Sequence, residues 1–96
     1  MYYCVYYDIS HHKTRLLAVK LCKQAGLVRV QRSVFLGEAA YFRIQEIEQQ
    51  LKPLLKPRTD SLLIQPLDRL SFDRLEMLGK KMDKTVIARK QRAVFF

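Results

Sequence analysis

An isolated acidic residue near the amino terminus, Asp8, has the chemistry and the position to bind a cation. It is the only acid before Glu38 in a chain of formal net charge +9. The preceding residues, Tyr2-Tyr3-Cys4-Val5-Tyr6-Tyr7, favour a β-strand, because aromatic and β-branched side chains fit a pleated, half-buried surface. A carboxylate between a first strand and a helix occupies a position where α/β and α+β folds often carry catalytic or ligand-binding residues. A metal site and a hydrogen bond to the start of the helix both remain open.

Two adjacent histidines, His11 and His12, follow Asp8 closely. Either histidine could act as a general base or assist in binding a metal, because imidazole titrates near neutral pH. Two solvated side chains in the first turn of a helix are the alternative. The cysteines, Cys4 and Cys22, form no CxxC pair and lack a histidine at zinc-site spacing, so we expect both to be reduced core residues.

The composition predicts one small globular domain with a polyanionic partner. The 96 residues are 49% apolar, which argues against disorder. Residues 80–96 carry +5 of the net charge of +9, and phosphate groups would neutralise such a surface. No apolar run reaches the roughly 20 residues of a membrane span, and no secretory signal is recognisable. We therefore expect a cytoplasmic protein that does not bind membranes.

The apolar spacing predicts alternating strands and helices. Ser10 is the expected N-cap of the first helix, Gly26 its expected end, and Pro53 should end the second helix. The chain order is β-α-β-β-α-β if the second strand splits, and β-α-β-α-β-β if it does not. The first order gives an α+β, ferredoxin-like sandwich over residues 1–79, with an extra strand in the basic tail 80–96. The predicted elements are a strand over 2–7, a helix over 11–25, a strand over 28–36, a helix from 41, a strand over 61–65, a turn or short helix over 68–73, and strands over 74–78 and 85–96.

The second strand has two faces with different predicted roles. One face carries Val28, Val30, Val34 and Leu36, together with Arg32, and suits a core. The other carries Arg29, Gln31, Ser33 and Phe35 and suits an interface or a ligand. On that face, Arg29 is a candidate for a phosphate contact or a dimer salt bridge. Phe35 is a candidate for base stacking or for packing at an interface.

Three sequence blocks together resemble the CRISPR-associated protein two (Cas two) family. They are Tyr-Asp-Ile-Ser at 7–10, Gln-Arg-Ser-Val-Phe-Leu-Gly-Glu at 31–38 and the segment 60–67. The resemblance implies a ferredoxin-like fold and a homodimer formed through the open sheet face. It implies a scaffold that binds duplex DNA and bridges subunits of the Cas one integrase during spacer acquisition. Many members are also described as metal-dependent endonucleases that cut single-stranded RNA or double-stranded DNA.

The resemblance also implies a site. Asp8 matches the metal-binding aspartate, one from each subunit, and Arg15, Arg29 and Phe35 match positions that line the cleft. Two facing carboxylates would repel, and Mg²⁺ (or Mn²⁺) would relieve this while binding water and phosphate. The chain departs from the family pattern at His11 and His12, where acids are common, and at Leu17, where some members have arginine. A toxin-like endoribonuclease of the same fold, unconnected to spacer capture, is the alternative function.

Overall fold

The chain folds in the order β-α-β-β-α-β, as the splitting of the second strand predicts. A computed structural model describes residues 1–79 and Ile87. Within the described residues four strands form one antiparallel sheet in the order β2-β3-β1-β4, so the two crossovers place their helices on the same face. This confirms the α+β, ferredoxin-like prediction. The elements are β1 (Tyr2–Asp8), α1 (His12–Gln24), β2 (Val28–Gln31), β3 (Val34–Glu38), α2 (Tyr41–Leu51), a 3₁₀ turn (Lys52–Leu54), β4 (Ser61–Leu67) and α3 (Arg69–Arg74).

The predicted strand over 28–36 is a hairpin, with its turn at Arg32 and Ser33. The Arg29 side chain crosses this turn and donates to the Arg32 carbonyl oxygen from Nε (3.0 Å) and Nη2 (2.6 Å). The register shifts between Arg29 and Gln31, where β2 contains a bulge. The hairpin therefore explains how a single run of strand-forming residues supplies two strands.

The helix ends agree with the predictions except at one residue. His11, not Ser10, is the N-cap of α1, and its Nδ1 accepts from the Thr14 backbone N–H at 3.4 Å. Gly26 follows the helix with a φ of 85°, the left-handed conformation that glycine adopts without strain. Helix α2 ends at Leu51, two residues before Pro53. The prediction of Ser10 as the cap is wrong because Ser10 bonds elsewhere in the fold.

The main core lies between the helices and one face of the sheet. Phe35 and Val5 are fully buried there, together with Cys22 of α1. Phe35, from the second-strand face that was predicted to meet a ligand or a partner, therefore faces the helices, whereas Arg29 and Gln31 of that face are exposed. Burial raises the pKa of the Cys22 thiol to about 12, as expected of a reduced core cysteine. Cys4 is only partly buried, on the other face of the sheet.

A second, smaller core covers part of the face that was expected to be open. Phe72 of α3 stacks on Tyr2 with ring centroids 4.2 Å apart, and both pack near Leu36 and Ile87. Helix α3 begins at the N-cap Asp68, which confirms the short helical segment over 68–73. The strand predicted over 74–78 is wrong, because α3 runs to Arg74 and 75–78 join no sheet.

The far end of that face, near Asp8, is not covered by any other element of the described residues. Tyr6 and Leu63 are paired across β1 and β4 there and are 40% and 61% exposed. The predicted tail 80–96 and its strand over 85–96 lie outside the described residues, apart from Ile87. Within the described part of the chain, no helix is long and apolar enough to cross a membrane.

Candidate nucleic-acid and metal site

A basic groove opens at the carboxyl end of β1. Its volume is about 610 Å³, and Asp8 is the only acid among the described residues that line it. The end of β1, one side of α1 and the β2–β3 hairpin bring these side chains together. The groove thus combines one carboxylate with several fixed positive charges, which suits a phosphate backbone and a cation. Its charged and titratable lining residues are Asp8, His12, Arg15, Lys23, Arg29 and Arg32.

The Asp8 side chain is exposed and makes no side-chain hydrogen bond or ion pair within residues 1–79. The helix start is capped by His11 instead, so the capping role left open for Asp8 is not observed. In the same range, no three histidine, cysteine, aspartate or glutamate side chains are grouped to hold a metal ion. One chain therefore offers one hard oxygen donor group. Mg²⁺ fits such a site only with water, phosphate or a second carboxylate completing its coordination.

Arg15 folds back over the segment that follows Asp8. Its Nη1 donates to the carbonyl oxygens of Ile9 (3.3 Å) and Ser10 (3.4 Å). Its Nη2 lies 3.3 Å from Nδ1 of His12. A guanidinium group only donates, so this contact is a hydrogen bond when the His12 Nδ1 is free to accept. Arg15 therefore shapes the loop as well as placing charge beside the groove.

Arg29 and Phe35 act as a stacked pair rather than as two separate contacts for a substrate. The Arg29 guanidinium carbon lies 5.8 Å from the centre of the Phe35 ring. Phe35 is 0% exposed, so its ring offers no free face to a nucleic-acid base. In the single chain Phe35 is a core residue that supports Arg29, and neither of its two predicted surface roles is seen.

Tyr7 carries a polar atom in an unfavourable place. Its side chain is 2% exposed, and its hydroxyl has no hydrogen-bond partner among the described residues. Burial raises the pKa of Tyr7, and the nearby Arg29 charge partly opposes that shift. The residue next to Asp8 thus buries an unpaired hydroxyl, which costs folding free energy.

Sequence reasoning missed one residue near the site, Asp60. Its Oδ1 accepts from the Ser10 backbone N–H and from the Ser10 hydroxyl, each at 3.0 Å. Its Oδ2 accepts from the Lys56 backbone N–H at 2.9 Å. These bonds hold the pKa of Asp60 at about 2, first through Lys56 and then through Ser10. Fifty residues separate Asp60 from Ser10, so no local pattern could have predicted this contact.

Comparison with known proteins places these features in a family. The sequence model of the family described as CRISPR associated protein Cas2 matches residues 1–75. A protein of Pyrobaculum aerophilum named CRISPR-associated endoribonuclease Cas2 2 is 32% identical over 79 residues, which span 82% of this chain and 87% of the relative. A protein of Desulforudis audaxviator named CRISPR-associated endoribonuclease Cas2 is 35% identical over 63 residues, which span 66% and 59% of the two chains.

Solved structures agree with the sequence relatives. Streptococcus pyogenes Cas2 at pH 6.5 superposes with a TM-score of 0.67 and 30% identity, and the match covers 82% of this chain and all of that one. The hypothetical protein TT1823 from Thermus thermophilus gives a TM-score of 0.66 at 30% identity, over 84% and 93% of the two chains. The fold, the Asp8 groove and the family match lead to one conclusion: this chain belongs to the Cas2 family of CRISPR-associated proteins.

Proposed function

We propose that this protein is a metal-dependent endoribonuclease that acts as a homodimer in the CRISPR system. One observation carries the proposal: Asp8 is exposed and unpaired within residues 1–79, and among these residues it is the only acid in a groove whose other charged lining side chains are basic. The names of the two relatives support RNA as the substrate, and duplex DNA is the second candidate.

The chemistry follows from the charges of the groove. When bound at Asp8, Mg²⁺ or Mn²⁺ would supply a polarised water and neutralise charge on a phosphate. Lys23 and Arg32 attract the phosphate backbone, while Arg15 and Arg29 place positive charge where negative charge develops. In the hydrolysis the water oxygen forms a bond to phosphorus and one ester P–O bond breaks. The water's proton passes to solvent, and the departing sugar oxygen takes up a proton.

The homodimer would complete the site. Alternation along β1 places Tyr6 and Asp8 on one face, and Leu63 lies directly opposite Tyr6. A second copy docked on this uncovered apolar end would bring two Asp8 carboxylates together. We expect Leu63→Glu to yield monomers in light scattering and to abolish cleavage in parallel, because it places a charge in that contact. The matched control is Leu78→Glu, since Leu78 is 82% exposed; a dimeric and active Leu63→Glu protein would contradict this arrangement.

The decisive test of the enzyme proposal is Asp8→Asn. The substitution keeps the size of the side chain but removes its charge, so we expect Mg²⁺-dependent cleavage of labelled single-stranded RNA to fall about 100-fold or more. Asp73→Asn is the matched control, an exposed aspartate on α3 outside the groove lining. Equal cleavage by wild type and Asp8→Asn would assign the activity to another site or to a contaminant.

A scaffold role in spacer acquisition is the second candidate, and the charge distribution favours it. Residues 80–96 hold +5 of the net charge of +9, beyond the charges of the groove. Such a surface would bind duplex DNA while the protein bridges integrase subunits. Duplex affinity should then fall steeply with salt, because each neutralised phosphate releases counterions. A flat salt response would refute the phosphate contacts. RNA cleavage without any association with the integrase would instead favour the toxin-like alternative.

A further inference from the structure

The Asp60 carboxylate joins two loops that are distant in the sequence. It accepts both the backbone N–H and the hydroxyl of Ser10, and it also accepts the Lys56 backbone N–H and the Thr59 hydroxyl, the last at 3.1 Å. Hydrogen bonds to an ionised carboxylate are about twice as strong as neutral ones. The loop after β1 and the loop before β4 are thus tied together by one side chain.

This tie lies at the end of the sheet that carries Asp8. The β1–β4 ladder begins at the pair Tyr2 and Leu67 and finishes at the pair Asp8 and Ser61. Terminal pairs of a ladder open first, because they have neighbours on one side only. Asp60 directly precedes Ser61 and holds Ser10, two residues beyond Asp8. It therefore closes the ladder where fraying would move the Asp8 backbone.

The same segment is held from a second direction. Arg15 donates to the carbonyl oxygens of Ile9 and Ser10, while Asp60 accepts from the Ser10 N–H. The backbone after Asp8 is thus fixed through both its donor and its acceptor groups. Arg15 lines the groove and carries charge there, whereas Asp60 is not among the lining residues. Asp60 can consequently be changed without removing a side chain that lines the groove.

We propose that Asp60 is a positioning residue for the site at Asp8, which it orders by holding the Ser10 backbone. The inference rests on the proposed function, because it assumes that Asp8 binds the catalytic cation. Residues that orient a metal ligand without touching the metal commonly change metal affinity or activity by about 10- to 100-fold. For Asp60→Ala we expect the Mg²⁺ concentration for half-maximal cleavage to rise about 10-fold. Asp60→Asn keeps one acceptor oxygen and should fall between Asp60→Ala and wild type.

Asp68→Ala is the matched control. Asp68 is an exposed aspartate that likewise accepts a backbone N–H, from Ser71 at 2.7 Å, but it lies beyond the opposite end of β4. Both variants lose a carboxylate cap, so both should lose stability, and cleavage is measured at a temperature where circular dichroism shows each to be folded. Only Asp60→Ala should raise the Mg²⁺ requirement.

Amide hydrogen exchange gives a readout that is independent of cleavage. In Asp60→Ala the Ser10 amide should accelerate by a larger factor than the amide of Val5 in the middle of β1, whose exchange rises only with the loss of overall stability. Unchanged Ser10 exchange, or an equal rise in the Mg²⁺ requirement of Asp68→Ala, would overturn the inference. Cleavage that survives Asp8→Asn refutes the proposed function. Cleavage that needs Asp8 but is indifferent to Asp60→Ala refutes the positioning role alone.

Discussion

Replacing Tyr7 by phenylalanine should stabilise the protein. The Tyr7 hydroxyl is buried without a hydrogen-bond partner in the described part of the chain, and such a group costs about 1–3 kcal/mol. Phenylalanine removes that oxygen and keeps the ring, whose centroid lies 6.4 Å from that of Phe35. The small gap left behind offsets part of the gain. We therefore expect the free energy of unfolding to rise by about 1–2 kcal/mol.

Urea and thermal unfolding measure this effect directly. For a domain of this size, a gain of about 1 kcal/mol raises the midpoint temperature by about 4–8 °C. Tyr41→Phe is the control, because Tyr41 is exposed on α2 and its change should stay within about 0.5 kcal/mol. A Tyr7→Phe protein less stable than wild type would refute the reasoning, since it would show that the hydroxyl is bonded in solution, with Arg29, whose side chain opposes the rise in the Tyr7 pKa, as the candidate donor. If Tyr7→Phe then no longer lowered the stability in an Arg29→Met background, Arg29 would be identified as the donor to the Tyr7 hydroxyl.

Three other outcomes follow from burial and pKa. Phe35→Ala should cost about 3–5 kcal/mol by urea unfolding, whereas folded Phe35→Leu should bind RNA with wild-type affinity; selective loss of binding would restore a stacking role. The Asp60 pKa of about 2 lies below its usual 3.8, so its stabilisation is complete above about pH 4 and disappears as the pH falls towards 2. The gap in midpoint temperature between wild type and Asp60→Asn should therefore close in acid, and a constant gap would contradict this. Cys22 should resist alkylation at pH 8 until the protein unfolds, since burial raises its pKa to about 12. If mass spectrometry found Cys22 of the folded protein modified as fast as Cys4, this prediction would be wrong.

The sequence was most informative where structure depends on neighbouring residues. As predicted, a strand forms at the aromatic run before Asp8, another strand begins at Ser61, and α2 ends before Pro53. These predictions succeed because strand propensity and the helix-ending effect of proline depend on residues that are close in sequence. The grouping of Asp8 and Arg15 in one groove also follows from a strand end and a helix start close in sequence. The role of Asp60 could not be predicted from the sequence, since Ser10 is far from it along the chain and comes close only in the folded structure.

The alternation of apolar and polar residues in the sequence identified which faces of the strands are buried, but not which elements cover them. Val28 and Leu36 do face an apolar cluster, yet that cluster is the smaller one beneath α3, and Phe35 takes the side of the two long helices. Leu75 and Met77 likewise alternate and pack on the smaller core, but their backbone joins no strand. Apolar residues at every second position show that one side of an extended segment is buried. Whether a neighbour then pairs with the backbone depends on distant parts of the chain.

The burial of Ile87 changes how a shortened version of the protein should be interpreted. Its side chain is 0% exposed and belongs to the same cluster as Leu36 and Phe72. A deletion of residues 85–96, meant to ask whether the carboxyl terminus recruits a partner, would also remove a core side chain, and losing a buried isoleucine costs about 2–5 kcal/mol. Neutralising Arg89, Lys90 and Arg92 keeps Ile87 in place. Such a variant separates recruitment by charge from failure to fold.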